Sequence, residues 1–234
     1  MRCKVLILST DLSGGGAEYV ARLMTDRIEH SICILFENKK SICPEKSRLY
    51  VVPGSQIGKR LFTLGRNILR LIYIQIIKLI YRPSITISHL EGPNIANLLS
   101  IGGGRRFIFV HNKLNSNYDG SERFDNLKLF LARILYQRAH LAIGVSREIC
   151  REMIEDYAVN QERVRYLANP IDTKTTKIMA QARFNDDRDL ILETRYVVNV
   201  ASFTDQKNHE LLIEVYSQII ESQANLKLVL LGDG

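Results

Sequence analysis

Seven short apolar runs punctuate the first 170 residues, at 5–8, 32–36, 49–52, 84–88, 107–110, 141–145 and 163–167. Most are rich in Ile, Val, Leu and Phe, 84–88 alternates Ile with Ser and Thr, 163–167 also holds Arg163 and Arg165, and all are too short for ordinary helices. Several are near-continuous rather than alternating, the pattern of strands buried on both faces of a parallel sheet. Parallel neighbours need a crossover, and the intervening segments supply it. Tyr19, Val20, Leu23, Met24 and Ile28 recur at helical spacing. Residues from about 58 to 81, 92–100, 122–138 and 147–157 also read as helices, the last with Ser146 placed as its N-cap. Strands alternating with helices predict an α/β fold, a parallel sheet with helices on both faces.

In such sheets ligands bind outside the carboxyl ends of the strands. Three polar features fall there. The first is the turn from Leu12 to Glu18, with Gly14, Gly15 and Gly16 between a strand and a helix. Glycines let the backbone approach a ligand, and the helix start offers unpaired N–H groups that suit a phosphate. A tight turn with no ligand is the competing reading. The others are His89, closing the fourth run, and His111-Asn112, closing the fifth. For His111, followed by a polar loop over 113–121, a functional role is favoured; for His89 both readings stay open. His140 begins a strand at the opposite edge and reads as structural, and His30 as a solvated turn residue.

Formal net charge is +7 over 234 residues. That balance suits a polyanionic neighbour such as a phosphorylated small molecule or an anionic membrane face, against the plain reading of a solvated basic surface. The segment 58–81 holds basic residues such as Arg66, Arg70 and Lys78 and no acidic one. Its widely spread apolar positions favour a core-packed helix with a basic outer face over a helix resting on anionic lipid. Its most apolar stretch, 71–77, falls far short of the roughly 20 residues a membrane-spanning helix needs. Cys3, Cys33, Cys43 and Cys150 show no CxxC pair and no His at zinc spacing. Cys3 and Cys33 read as buried thiols of a reducing cytosol. Met1 leads directly into the first strand, without a secretory signal.

After Asn169-Pro170-Ile171-Asp172 the chain turns polar, and from 196 the pattern restarts. Residues 196–200 read as a strand and 202–208 as a turn. Residues 209–221 read as a helix with Leu211, Leu212, Val215, Tyr216 and Ile219 inward. Residues 226–231 read as a second strand. One βαβ unit cannot bury its own faces. The predicted division is 1–170, a linker at 171–195, and a partial second domain at 196–234.

Four motifs in order resemble retaining, nucleotide-sugar-dependent glycosyltransferases of the GT-B type, family 4. They are Gly14-Gly15-Gly16-Ala17-Glu18, then Val145-Ser146 with Val164 and Asn169-Pro170-Ile171-Asp172, then the turn from Asn199 to His209, then Gly232-Asp233-Gly234. The resemblance implies an amino-terminal Rossmann-like domain on the acceptor side and the start of a carboxyl-terminal, donor-binding one. It implies that His111 contacts the transferred sugar and that Lys207 neutralises the diphosphate leaving group. Gly14, Gly15, Gly16, Glu18, Ser202 and Asn208 would line the donor. Transfer of this type needs no protein nucleophile, metal or cofactor. The implied partners are a nucleotide sugar, a polysaccharide or lipid-linked acceptor and an anionic membrane surface, but no nucleic acid. The place is the cytoplasm, peripheral at the inner face of the cell membrane.

Two features depart from the family pattern. Ala201 and Ser202 stand where the family has Gly-Arg, removing an arginine from the diphosphate grip. The family's paired glutamates lie beyond Gly234, so residues 1–234 alone are expected to bind nucleotide sugar weakly and not to transfer sugar. Two other classes compete. A non-catalytic half-protein or partner subunit would associate with a separate donor-binding chain. A dinucleotide-dependent oxidoreductase would need a GxGxxG fingerprint, which the contiguous glycines do not give.

Overall fold

The computed structural model describes residues 4–13, 15–37, 48–53, 63–117, 125–181, 195–223 and 225–232. Seven parallel strands are ordered β3-β2-β1-β4-β5-β6-β7. They are β1 (Val5–Ser9), β2 (Ser31–Leu35), β3 (Arg48–Val51), β4 (Ile85–His89), β5 (Arg105–Val110), β6 (Leu141–Gly144) and β7 (Val164–Tyr166). The helices threading them are α1 (Gly16–Arg27), α2 (Thr63–Tyr81), α3 (Glu91–Leu99), α4 (Leu114–Asn117), α5 (Asp125–Leu135) and α6 (Arg147–Glu155). The expected Rossmann-like α/β sheet is therefore the one observed.

Alternate side chains of each strand go to opposite faces. Leu6, Leu8, Ile32 and Ile34 pack under Ile74 and Ile77 of α2. Ile108, Val110 and Ala142 pack with Leu98 of α3, Ala132 and Leu135 of α5, and Ile149 and Met153 of α6. On the other face Ile7, Cys33 and Leu35 meet Ala21 of α1, while Ile87, Phe109 and Ile143 lie against Met24 and Ile28. Cys33 is a buried free thiol, as expected; Cys3 and Cys43 lie outside the described residues. The Ser146 hydroxyl accepts from the Ile149 N–H (3.2 Å) and starts α6 as its N-cap. Gly104, at φ +65°, enters β5 with the Ser84 carbonyl packed where a Cβ would stand. The next N–H, of Arg105, donates to that same carbonyl (2.9 Å).

Helix α2 departs from the expectation of a core-packed helix with a basic outer face. Ile68, Leu69, Ile72, Ile76, Leu79 and Ile80 are 46–66% exposed. A helix lying on one sheet buries one stripe, and the apolar residues of α2 are spread more widely than that stripe. Two basic residues point inward instead. Lys78 is buried, its Nζ donating to the Asn97 backbone and side-chain oxygens, both at 2.9 Å. Arg70 donates to the Phe36 carbonyl (3.0 Å) and lies over the Phe36 ring. Among the described residues no helix is long and apolar enough to cross a membrane.

The polar loop expected after His111 also departs from expectation at its start. Residues 114–117 form the helical turn α4, with Leu114 buried. The Glu152 carboxylate accepts from the Leu114 and Asn115 N–H groups at 3.0 and 2.9 Å. The Asn115 side chain donates to Asp156 (2.7 Å) and accepts from the Tyr157 hydroxyl (2.9 Å). Residues 118–124 lie outside the described residues.

The chain divides into two compact units, 1–171 and 172–234. The second holds α7 (Thr173–Ala180), β8 (Tyr196–Val200), α8 (His209–Ile220) and β9 (Lys227–Leu231), with β8 and β9 parallel. None of its described residues is buried. The half-buried line of α8 is Leu212, Tyr216 and Ile220, while Leu211, Val215 and Ile219 face solvent. The inner face expected from the sequence thus narrows to a single stripe, because two strands offer too little sheet to cover more.

Candidate functional site

Strands β1 and β4 are neighbours, yet the chain leaves them in opposite directions, towards β2 and towards β5. Their carboxyl ends open the crevice where doubly wound sheets bind ligands. The segment after β1 and His89 at the end of β4 flank it, and His111 follows β5 next door.

The turn after β1 is internally braced. The Ser9 hydroxyl donates to the Asp11 carbonyl (2.9 Å), and the Asp11 carboxylate accepts from the Ser13 N–H (2.8 Å). Gly14 lies outside the described residues. Gly15 is the N-cap of α1, and no side chain caps it. Glu18, in the first turn, folds its carboxylate back over Gly15 into the space a Cβ would occupy. A carboxylate there is favoured by the helix dipole, so the helix start already holds an anion of its own. A Cβ on Gly16 would stand 3.5 Å from the Asn169 side-chain nitrogen, which places Asn169 beside the turn.

The two histidines form a unit. His89 is fully buried, and its ring stacks on Phe109, centroids 4.7 Å apart at 24°. That contact follows from register, since His89 pairs with Phe109 across β4 and β5. His111 is 9% exposed, and its Nε2 lies 3.1 Å from His89 Nδ1. The other nitrogen of each ring is buried without a hydrogen-bond partner among the described residues. Burial and the nearby His111 push the pKa of His89 down to about 3, and burial pushes His111 down to about 4. Both rings are therefore neutral at physiological pH. Around them, Leu90 sits at φ +71°, and the buried Asn94 donates to the Phe109 carbonyl (2.9 Å), bracing the exit from β4. Those two residues carried no signal in the sequence. His140 has a structural role, its Nδ1 accepting from the Arg106 N–H (3.2 Å). His30 is an exposed turn residue at φ +59°.

In the second unit the Ser202 carbonyl accepts from the Thr204 N–H (2.9 Å), and a 3-10 turn follows at Asp205–Lys207. Ser202 and Lys207 are exposed. Asn208 is left-handed (φ +46°), and its side-chain oxygen accepts from the Leu211 N–H (3.2 Å), capping α8. The structure thus gives Asn208 a capping role that the sequence reading did not assign.

A family model described as Glycosyltransferase Family 4 matches residues 14–175, from the glycine turn through both histidines to α7. The chain belongs to that glycosyltransferase family. A curated family relative comes from Campylobacter jejuni subsp. jejuni serotype O:2. It is N-acetylgalactosamine-N,N'-diacetylbacillosaminyl-diphospho-undecaprenol 4-alpha-N-acetylgalactosaminyltransferase, 28% identical over 105 residues. The alignment covers 45% of this chain and 26% of that enzyme. Sucrose-phosphate synthase from Thermosynechococcus elongatus superposes with a TM-score of 0.73 at 12% identity, covering 98% of this chain and 62% of that one. Anabaena HepE in complex with UDP and glucose gives 0.63 at 16%, covering 100% and 62%. The lipopolysaccharide outer core galactosyltransferase WaaB gives 0.60 at 14%, covering 99% and 61%. These likenesses show the fold, a Rossmann-like α/β unit of the GT-B type. The chain spans about three-fifths of the length of these solved structures.

Proposed function

We propose that this chain is the acceptor-side domain and the start of the donor-binding domain of a nucleotide-sugar-dependent glycosyltransferase. The enzyme moves a sugar, with retention, onto a polysaccharide or lipid-linked acceptor. The observation that carries this reading is the family match over 14–175, which spans the glycine turn and the two histidines at the switch point of the sheet. His111 contacts the transferred sugar. Gly14, Gly15 and Gly16 face the donor diphosphate, Glu18 lines the donor beside them, and Ser202 and Asn208 shape the turn that presents Lys207. Negative charge grows on the diphosphate as the glycosidic bond breaks, so a fixed ammonium at Lys207 favours the transition state over the ground state. Retention rests on the motif resemblance. In that mechanism the leaving phosphate takes the acceptor's proton, and neither metal nor protein nucleophile takes part.

The UDP in HepE supports a uridine donor, and the diphospho-undecaprenol substrate named for the Campylobacter enzyme supports a lipid-linked acceptor. Such an acceptor lies at a bilayer surface. The exposed apolar face of α2, on a helix with no acidic residue between Thr63 and Tyr81, suits an anionic one.

The test offers labelled UDP-sugars and a polyprenyl-diphosphate-linked saccharide to residues 1–234 joined to a complete donor-binding domain, because residues 1–234 alone are expected not to transfer sugar. Label passing into the lipid fraction with its anomeric configuration retained is expected, with loss in His111→Ala and in Lys207→Ala. No transfer with any donor, or transfer undiminished in both variants, would overturn the reading. For the membrane part, co-sedimentation is expected with anionic vesicles and not with neutral ones. Equal binding to both, or to neither, counts against it.

A further inference from the structure

The edge of the sheet opposite the crevice is dense in arginine. Strands β4 to β7 all begin there. Arg105 opens β5, Arg138 closes the turn that leads to β6, and Arg163 immediately precedes β7. Arg82, in the link from α2 to β4, stands beside them, since the nearby Ser84 carbonyl accepts from the Arg105 N–H (2.9 Å). Two guanidiniums are fixed in place by backbone oxygens. Arg163 donates to the Gln137 and Ala139 carbonyls at 3.3 and 3.5 Å, and Arg106 to the Leu98 carbonyl at 3.2 Å. His140 lies among them. Burial, then Arg106, Arg105 and Arg163, hold its pKa below the usual range. Among the described residues no carboxylate forms an ion pair with Arg82, Arg105, Arg106, Arg138 or Arg163. Cations gathered without counter-charges repel one another, so the grouping does not stabilise the fold; it suits a polyanionic partner.

Aliphatic side chains break into the same surface. Ile101 is 78% exposed, Ile80 66% and Leu79 61%. Ile101 is held firmly all the same. Its N–H donates to the Gln75 side chain of α2 (2.8 Å), and its carbonyl accepts from that side chain (3.1 Å). The clamp sets a bare isoleucine beside α2 and just ahead of Arg105. Any polyanion rewards the arginines. A lipid surface rewards the aliphatic residues as well, because headgroups take the cations and the acyl boundary takes leucine and isoleucine. Single-stranded nucleic acid instead pairs its charge with stacking on aromatic rings, which aliphatic side chains cannot supply.

We propose that this edge is where the protein meets an anionic bilayer, with Arg105, Arg138 and Arg163 on the headgroups and Leu79, Ile80 and Ile101 in the acyl boundary. The six-residue strand β5 then holds the crevice about 20 Å from the headgroups, with its mouth towards solvent. A bilayer partner rests on the proposed function; the choice of this edge rests on the arginines and Ile101.

The experiment uses the whole chain, which contains no tryptophan. Ile101→Trp and Lys113→Trp place one reporter at each edge, Lys113 lying beyond the end of β5. Each is mixed with vesicles of phosphatidylserine and brominated phosphatidylcholine. The reporter of Ile101→Trp is expected to be quenched and that of Lys113→Trp to stay bright. In co-sedimentation with unbrominated vesicles of the same charge, the double variant Arg105→Glu, Arg138→Glu is expected to bind about tenfold more weakly or worse, and Ile101→Ser about threefold more weakly. Equal quenching of the two reporters, or undiminished binding by the double variant, would overturn the choice of edge and leave a bilayer partner standing. The reporters decide even where the double variant does not fold. Binding of a single-stranded oligonucleotide, lost in the double variant, with no binding of vesicles, would overturn the inference in favour of nucleic acid. Vesicle binding through this edge without sugar transfer by the completed enzyme would sink the proposed function and leave the docking edge standing.

Discussion

Acid destabilises this protein through His89 and His111. In the unfolded chain each histidine titrates near 6.5, while in the fold His89 is held at about 3 and His111 at about 4. A depressed folded pKa means that the unfolded state takes up protons first. Stability is therefore intact above about pH 6.5 and falls as the pH drops towards 4, where the loss from His111 levels off. At about pH 5 each ring is 1.5 units below its unfolded pKa and still neutral in the fold, a loss of about 2 kcal/mol each at 1.36 kcal/mol per unit. Neither ring is charged in the fold at that pH, so the two losses add to about 4 kcal/mol. That is a large part of the 5–15 kcal/mol typical of a domain. With a urea slope near 2 kcal/mol/M, the midpoint is expected to fall by about 2 M between about pH 7 and pH 5. The assay is urea unfolding followed by circular dichroism at both pH values, in wild type and in the double variant His89→Gln, His111→Asn. Subtraction removes His30, His140 and His209. A double variant that loses as much as the wild type would refute the reasoning, whatever its stability at neutral pH.

Three further predictions concern the frame around the site. Burial, and then the nearby Arg106, depress Lys78 from 10.5 to about 7, so its unfolded form binds the extra proton between those values. Stability is expected to rise with pH across that window and to lose this slope in Lys78→Met, read by chemical denaturation at pH 7 and 9. Gly104→Ala forces a side chain into positive φ and against the Ser84 carbonyl, and is expected to cost about 2 kcal/mol or more in thermal unfolding. Ser146→Ala removes the α6 cap and is expected to cost about 1 kcal/mol by the same measurement.

Much of this architecture was legible in the sequence because parallel strands buried on two faces leave an unmistakable run, as at 5–8 and 107–110. The placement of the glycine turn, His89 and His111 at one edge followed from the same pattern. What the residues did not disclose depends on neighbours distant in the chain. The pairing of His89 with Phe109 is set by sheet order and register, so the union of His89 with His111 had no local signal. Lys78 looked like a solvated charge until Asn97 was found beneath it. The turn at 114–117 read as loop because Leu-Asn-Ser-Asn has little helical preference; a carboxylate 38 residues away from Leu114 fixes it. In α2 the error ran the other way. Apolar content was taken as burial, whereas burial is limited by the sheet area available to a helix.

The Glu152 carboxylate also bears on how the site responds to its surroundings. It ties the chain leaving His111 to α6 by two short hydrogen bonds from backbone amides, at the buried Leu114 and at Asn115. Contacts of that kind are barely screened by dissolved ions, unlike an exposed ion pair, whose attraction fades beyond a Debye length of about 8 Å at physiological salt. Salt that weakens attraction to an anionic surface therefore leaves this joint closed. The chain leaving His111 stays tied to α6 at ionic strengths that loosen exposed ion pairs.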